Sequence, residues 1–322
     1  MSSAVIQRPA SSALRRRLAL LAKLAVSLAL LALVAGSIDV KTVGGLVLGL
    51  SPAGAAAAVA SLAAIAVVSA LRWQLVIGAI GPRQPFARIL GLMFVGSFFT
   101  QMLPTSVGGD AVRIWQLSRY GVPAQRAFIG VMLERITGLI ALVLMVAGGV
   151  VWLGEALSPP ALGYVLLACL PILLVGLAVL CLLDRLPPGL QGLPLVGPGL
   201  RLLATMAADA RRVLLAPRLS LVLLALSAVA QFCSILTFYA LAGGLGLPLS
   251  LAAATAVVPG IILITFLPIS FAGWGVREGA SIAMLAAVGL GADQAVALSV
   301  LFGLASILAG LPGLPLWLAH AR

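Results

Sequence analysis

Residues 103–113 read Leu-Pro-Thr-Ser-Val-Gly-Gly-Asp-Ala-Val-Arg, and residues 267–277 read Leu-Pro-Ile-Ser-Phe-Ala-Gly-Trp-Gly-Val-Arg. Leu, Pro, Ser, Gly, Val and Arg recur in register at six of the eleven positions, at a constant offset of 164. An echo follows each copy: Gly121, Ala124 and Ala127 precede one apolar run, and Gly289, Ala292 and Ala295 precede another. The chain therefore reads as a duplicated unit, and whether the apolar run before each Leu-Pro crosses the membrane decides the fold.

That a membrane is involved follows from composition. Of the 322 residues 62% are hydrophobic and only 9% charged, with a mean hydropathy of +1.22. Soluble domains carry about a quarter charged residues, so the chain reads as an all-α polytopic membrane protein. Basic residues outnumber acidic ones 20 to 8, and they fall in short segments between apolar runs. That is the pattern of cytoplasmic loops beside anionic lipid, and no long basic domain is present to hold nucleic acid. Cys169, Cys181 and Cys233 all lie inside apolar runs and read as reduced packing residues. The single histidine, His320, leaves little for a His-based metal or catalytic site, so neither metal nor cofactor is expected.

Runs long enough to span lie at about 18–38, 55–80, 127–153, 161–183, 219–243 and 295–318. The first follows Arg15-Arg16-Arg17 and is too long for a signal peptide core, so it reads as an uncleaved helix after a basic segment 1–17. Two more runs, 86–103 and 251–268, end at the repeated Leu-Pro. If 86–103 crossed, Arg113, Arg119, Arg126 and the arginines of 184–218 would face outward, against the positive-inside rule. If both runs dip in and turn back, the N-terminus, 81–88, 104–126, 184–218 and the C-terminus are cytoplasmic. The prediction is a single domain over 18–318, with six full spans and two re-entrant broken helices. Its halves, about 18–153 and 161–318, each hold three crossings, an odd number that makes them an inverted-topology repeat. Transporters use this plan and place the substrate where broken helices meet near the midplane.

The first motif ends Gly108-Gly109-Asp110-Ala111-Val112-Arg113. Glycines let backbone amides approach an anion, and a helix starting near residue 111 adds its positive end. Arg113 then grips a phosphate, or snorkels to the interface from a plain capping turn. Asp110 caps the helix or pairs with an arginine. In the second motif Gly273, Trp274 and Arg277 offer the same chemistry from the outer side, with Trp274 also suited to an interfacial aromatic belt. Arg277 and Glu278 are adjacent and diverge around a helix, so separate partners are expected for them. Glu134 and Arg135 lie within a span, where an ionisable group is paired or functional. Glu134 is expected to pair with Arg113 or Arg72, with proton coupling through Glu134 or Asp110 as the other reading. Arg72-Trp73 reads equally as an interfacial anchor. Gln101 either satisfies backbone freed by the break or touches substrate.

Taken together, Arg72-Trp73, Gly96-Ser97-Phe98-Phe99 leading to Pro104, Gly108-Gly109-Asp110 with Arg113, Glu134-Arg135 and Gly273-Trp274-Gly275-Val276-Arg277-Glu278-Gly279 resemble the membrane domain of bacterial lysylphosphatidylglycerol synthases. The resemblance covers about residues 15–318. It implies a flippase-like protein of the bacterial inner membrane whose partners are membrane lipids with polar or anionic headgroups. The soluble aminoacyl-transferase domain of the full-length synthases has no counterpart before Arg322. Many relatives carry Asn a few residues before the motif Pro, whereas this chain has Gln101 three residues before Pro104.

Three functions remain open at this stage. The first is a lipid translocase of flippase or scramblase type, with Arg72, Gln101, Gly108, Gly109, Asp110, Arg113, Glu134, Arg135, Gly273, Trp274, Arg277 and Glu278 as candidate substrate-binding residues. The second is a membrane-embedded headgroup or glycosyl transferase, which lacks a P-loop, a G-x-S-x-G, an H-E-x-x-H and a D-x-D pair. The third is a subunit associated with a lipid-modifying enzyme.

Overall fold

A computed structural model of the chain describes residues 25, 28–29, 31–36, 38–103, 108–157, 160–182, 197–266 and 273–320. Among these residues the regular structure is all helical. Twelve α-helices follow residues 25, 28–29 and 31–36, the described helical parts of the expected first span: α1 Val40–Leu48, α2 Pro52–Ile80, α3 Phe86–Met102, α4 Gly108–Arg119, α5 Ala124–Leu153 with a 3-10 turn Gly154–Ala156 after it, α6 Pro160–Leu182, α7 Gly197–Leu214, α8 Pro217–Gly244, α9 Leu251–Thr265, α10 Val276–Ala286, α11 Ala292–Gly310 and α12 Gly313–His320. Local signals set several starts. The Ser51 hydroxyl accepts the Gly54 N–H at 3.2 Å with Pro52 at the first position of α2, and Ser250 accepts the Ala253 N–H at 3.1 Å to open α9.

Among the described residues five helical segments are long and apolar enough to cross a membrane: Pro52–Ile80, Ala124–Leu153, Leu162–Leu182, Pro217–Gly244 and Ala292–Ala319. The chain is a multi-pass, all-helical membrane protein. The last segment holds both α11 and α12, because Pro312 cannot donate the next helical hydrogen bond. Between the first two expected spans lies the short helix α1, capped by the Asp39 carboxylate on the Lys41 N–H at 3.0 Å. Helix α3 has 17 residues and α9 has 15, so they reach about 25 and 22 Å, short of the roughly 30 Å hydrocarbon core.

Each short helix forms an antiparallel hairpin with the next. A Cβ on Gly109 of α4 would stand 2.1 Å from the Gly96 carbonyl oxygen of α3, and Arg113, one turn later, packs on Gly96 and Met93. A Cβ on Gly273 would meet Thr265 at 2.8 Å, and Gly260 of α9 faces Met284 of α10. After each hairpin the chain leaves through a glycine in the left-handed region, Gly121 at φ 81° and Gly289 at φ 85°. The next long helix starts three residues later in both cases, at Ala124 and Ala292. The sequence echo is thus a structural one.

The helices before the hairpins, α2 and α8, run antiparallel in close contact. Gly54 lies against Gly244 at one end, and the Arg72 guanidinium donates to the Ser227 hydroxyl at 2.8 Å further along. Small residues allow this approach, as expected where packing rather than hydrophobicity drives helix association. Helix α5 works as a ruler for the rest. Its first turns pack on the base of the α3–α4 hairpin through Ala127 and Val131. Near its middle Arg135 meets Asp110 and Phe266, and near its end Gly149 takes the Ala256 backbone. The two hairpins therefore approach from opposite ends of α5, and their tips converge beside Arg135.

Gly148 and Gly149 make a direct test of that packing. A Cβ on Gly149 would sit 2.3 Å from the Ala256 carbonyl oxygen, whereas one on Gly148 meets nothing within 4 Å. Gly149→Ala should cost about 1–3 kcal/mol by overpacking, while Gly148→Ala should stabilise by up to about 1 kcal/mol through helix propensity. Thermal unfolding in one detergent reads both, and equal shifts would contradict the α5–α9 contact.

Candidate functional site

Two buried charge clusters and a groove between them occupy the region where the hairpin tips converge. In the first cluster Glu134 of α5 accepts from the Arg72 guanidinium of α2, with Nε at 3.1 Å, and its second oxygen lies 3.6 Å from Arg113 of α4. Asp110 pairs with Arg113 through one oxygen and with Arg135 through the other. Asp110, Arg113, Glu134 and Arg72 are all less than 8% exposed. Trp73 is fully buried, with the Arg113 guanidinium 4.9 Å from its ring centroid. An ion in an apolar interior survives only with a partner, and the cluster supplies opposite charges from α2, α4 and α5 and the Ser227 hydroxyl from α8.

The expected pairing of Glu134 with Arg72 or Arg113 is met by both arginines. Asp110 takes the pairing role over the cap, because α4 begins at Gly108 rather than near residue 111 and places Asp110 inside its first turn. Gly108 and Gly109 have a packing role: a Cβ on Gly108 would fall 2.6 Å from Leu103, and Gly109 gives its space to the Gly96 backbone.

The second cluster is smaller. Arg277 at the start of α10 pairs with Glu278 at 3.1 Å and donates through Nε to the Ser299 hydroxyl of α11 at 3.0 Å. Ser299 in turn donates to Glu278 at 2.8 Å, and the other Glu278 oxygen accepts the Gly275 N–H. This corrects the expectation that Arg277 and Glu278 take separate partners. Both side chains reach across to the Ser299 hydroxyl of α11, and among the described residues each forms its ion pair with the other. Trp274 stacks over the Arg277 guanidinium at 4.6 Å and leans on Gly303, where a Cβ would touch its ring at 2.9 Å. Gly273 and Gly275 both hold positive φ, 84° and 87°, a turn that a side chain would strain.

Between the clusters lie adjoining cavities of ≈ 290, 270 and 200 Å³. The largest is lined by Thr100 and Gln101 from the tip of the first hairpin and by Thr265, Gly273 and Arg277 from the tip of the second. Arg72, Glu134 and Phe266 line the next, and Asp110 and Arg113 line the third. Arg135 lines all three, with 29% of its side chain exposed and its guanidinium 5.7 Å from the Phe266 ring. All the candidate residues named above except Gly108, Gly109, Trp274 and Glu278 border this groove, and those four support its walls. Residues 104–107 and 267–272, which hold the two Leu-Pro breaks apart from Leu103, lie outside the described residues.

Sequence reasoning missed Ser227, Ser299 and Thr100. Each is a hydroxyl on a predominantly apolar helix, and Ser227 and Ser299 are fully buried. A buried hydroxyl facing neighbouring helices in a membrane bundle is the signal that points to such positions.

No curated protein and no solved structure matches the chain significantly. One family profile does: lysylphosphatidylglycerol synthase TM region matches residues 20–313, nearly the whole length and including both clusters and both hairpins. The chain belongs to the lysylphosphatidylglycerol synthase transmembrane-region family.

Proposed function

We propose that the protein is a lipid translocase of the bacterial inner membrane, moving a lipid with a polar or anionic headgroup between leaflets. The observation that carries this reading is the meeting of both hairpin tips and Arg135 in one groove that sets arginines and polar side chains beside apolar ones inside the bundle. Irregular backbone at membrane depth is tolerated where it is buried in protein or lines a wet cavity, and both tips border the groove. A headgroup would cross along the groove while its tails stay in lipid.

In this reading the α3–α4 and α9–α10 hairpins are re-entrant and enter from opposite faces. The antiparallel run of α2 against α8, and the approach of the hairpins from opposite ends of α5, support an inverted-topology repeat. The start of α5 faces the cytoplasm, because Arg119, Arg126, Arg211, Arg212 and Arg218 belong to the helix ends gathered there. Both chain termini then face the cytoplasm as well.

Reconstitution tests the proposal. Vesicles with fluorescent phosphatidylglycerol in both leaflets lose only the outer label to a membrane-impermeant quencher unless lipid crosses. The protein should raise the rate of loss of the inner label at least tenfold over protein-free vesicles, a barrier reduction of about 1.4 kcal/mol. An unchanged rate across phospholipid and polyprenyl-phosphate probes would contradict it.

A further inference from the structure

Both hairpins are fastened to one helix. Helix α11 holds the second hairpin through Ser299, which donates to Glu278 at 2.8 Å and accepts from Arg277 at 3.0 Å. One turn later Gly303 leaves room for Trp274, whose ring a Cβ there would meet at 2.9 Å. The same helix then reaches the first hairpin, where a Cβ on Gly310 would stand 3.3 Å from the Phe98 nitrogen of α3. Past the Pro312 break, α12 lies along α3. A Cβ on Gly313 would come within 2.7 Å of the Phe94 carbonyl carbon. The Trp317 ring packs 4.8 Å from Phe99 of α3 and 5.6 Å from Trp115 of α4, centroid to centroid.

Between these two sets of anchors α11 is unbroken. From Ser299 to Gly310 it covers about 16 Å at the usual helical rise. Its Phe302 and Ser306 side chains line the ≈ 290 Å³ cavity where the hairpin tips meet. A sharp kink needs an interruption such as proline, and Pro312 comes only after Gly310 has met α3. A stiff rod fixed to both hairpins carries a displacement of one to the other.

We propose that α11–α12 is a coupler that makes the two hairpins rearrange as one unit. The coupling rests on these contacts, and its use rests on the translocation reading. In that reading the hairpins enter from opposite faces, so a shift of α11 along its axis that withdraws one tip from the groove drives the other deeper. The groove then opens to one side of the membrane at a time. Helix α5 also touches both hairpins, so the two routes have to be separated.

Hydrogen exchange of the purified full chain, read by mass spectrometry on peptides from each hairpin, tests the link apart from transport. Trp317→Ala removes the ring that seats α12 on the first hairpin. Exchange should rise about fivefold or more in α9–α10 as well as in α3–α4. Trp317→Leu, a milder change, should raise the same two regions by less. Trp274→Ala should loosen both hairpins from the other end. Leu318→Ala, at an exposed position of α12, should change neither. Leu304→Gly with Leu308→Gly softens α11 between the anchors, at side chains that are 43% and 54% exposed. In that background each tryptophan substitution should loosen only its own hairpin. Matching gel-filtration profiles show that the variants are folded. Exchange that rises only beside the substituted tryptophan, with α11 otherwise unaltered, would overturn the proposal. Transmission that survives both glycines would overturn it too and place the coupling in α5. Coupled exchange in a protein that flips no lipid would support the link and sink the translocation reading alone.

Discussion

Glu134→Gln should be the most damaging single change in the molecule, costing about 3–5 kcal/mol, because breaking a buried ion pair strands the partner charges. Glu134 is 4% exposed and faces two guanidiniums. The substitution keeps shape and hydrogen bonding but adds one formal positive charge to the cluster. The result should be loss of the monodisperse folded protein or a large drop in thermal midpoint in detergent. Arg72→Met combined with Glu134→Gln gives the contrast. It removes one charge of each sign and returns the cluster to its original sum, so the double variant should recover more than half of the loss. A double variant as unstable as Glu134→Gln alone would show that specific hydrogen bonds, such as Arg72 to Ser227 at 2.8 Å, outweigh charge.

Glu278→Gln is the second. Its carboxylate holds Arg277 and the Ser299 hydroxyl and also accepts the Gly275 N–H at the start of α10. Glutamine keeps the backbone contact and removes the charge, leaving Arg277 buried with the Trp274 and Phe302 rings at 4.6 and 5.8 Å. Cation–π contact with two rings offsets part of the loss, at about 0.5–2 kcal/mol for each. The cost should therefore fall below that of Glu134→Gln, at about 2–4 kcal/mol. Ser299→Ala should cost about 1–2 kcal/mol, as loss of one buried hydrogen-bonding group. Thermal unfolding of the three variants gives the order, and Ser299→Ala exceeding Glu278→Gln would contradict the assigned roles.

Much of this architecture was readable beforehand because its signals are local. Apolar runs gave α2, α5, α6 and α8 to within a few residues, and the Pro/Gly motifs located both hairpin turns. The echo of Gly121 and Gly289 marked two equivalent helix exits, since only a left-handed residue closes those ends comfortably. The pairing of Glu134 was legible from cost alone: a carboxylate three turns into a spanning helix needs a cation.

What stayed hidden depends on contacts distant in the chain. Ser227 stands 155 residues from Arg72, and Ser299 is 22 from Arg277, so nothing in the motifs names them. Adjacent residues diverge by about 100° around a helix, yet Arg277 and Glu278 meet because both long side chains converge on Ser299. Gly108 and Gly109 were read through a ligand's needs, whereas the missing Cβ atoms first admit Leu103 and the Gly96 backbone. The same glycines look alike in sequence whether a phosphate or a neighbouring helix approaches them.

The claim that lipid moves between the hairpin tips is tested most directly by tying the tips together. Gln101→Cys and Thr265→Cys place one thiol on each side of the groove's ≈ 290 Å³ cavity, in a chain whose Cys169, Cys181 and Cys233 have been replaced by serine or alanine. A cleavable bis-maleimide then bridges them in vesicles. Lipid flipping should fall to the protein-free rate on cross-linking, return on cleavage, and be unaffected in either single-cysteine protein. Flipping that continues undiminished in fully cross-linked protein would place the lipid path elsewhere.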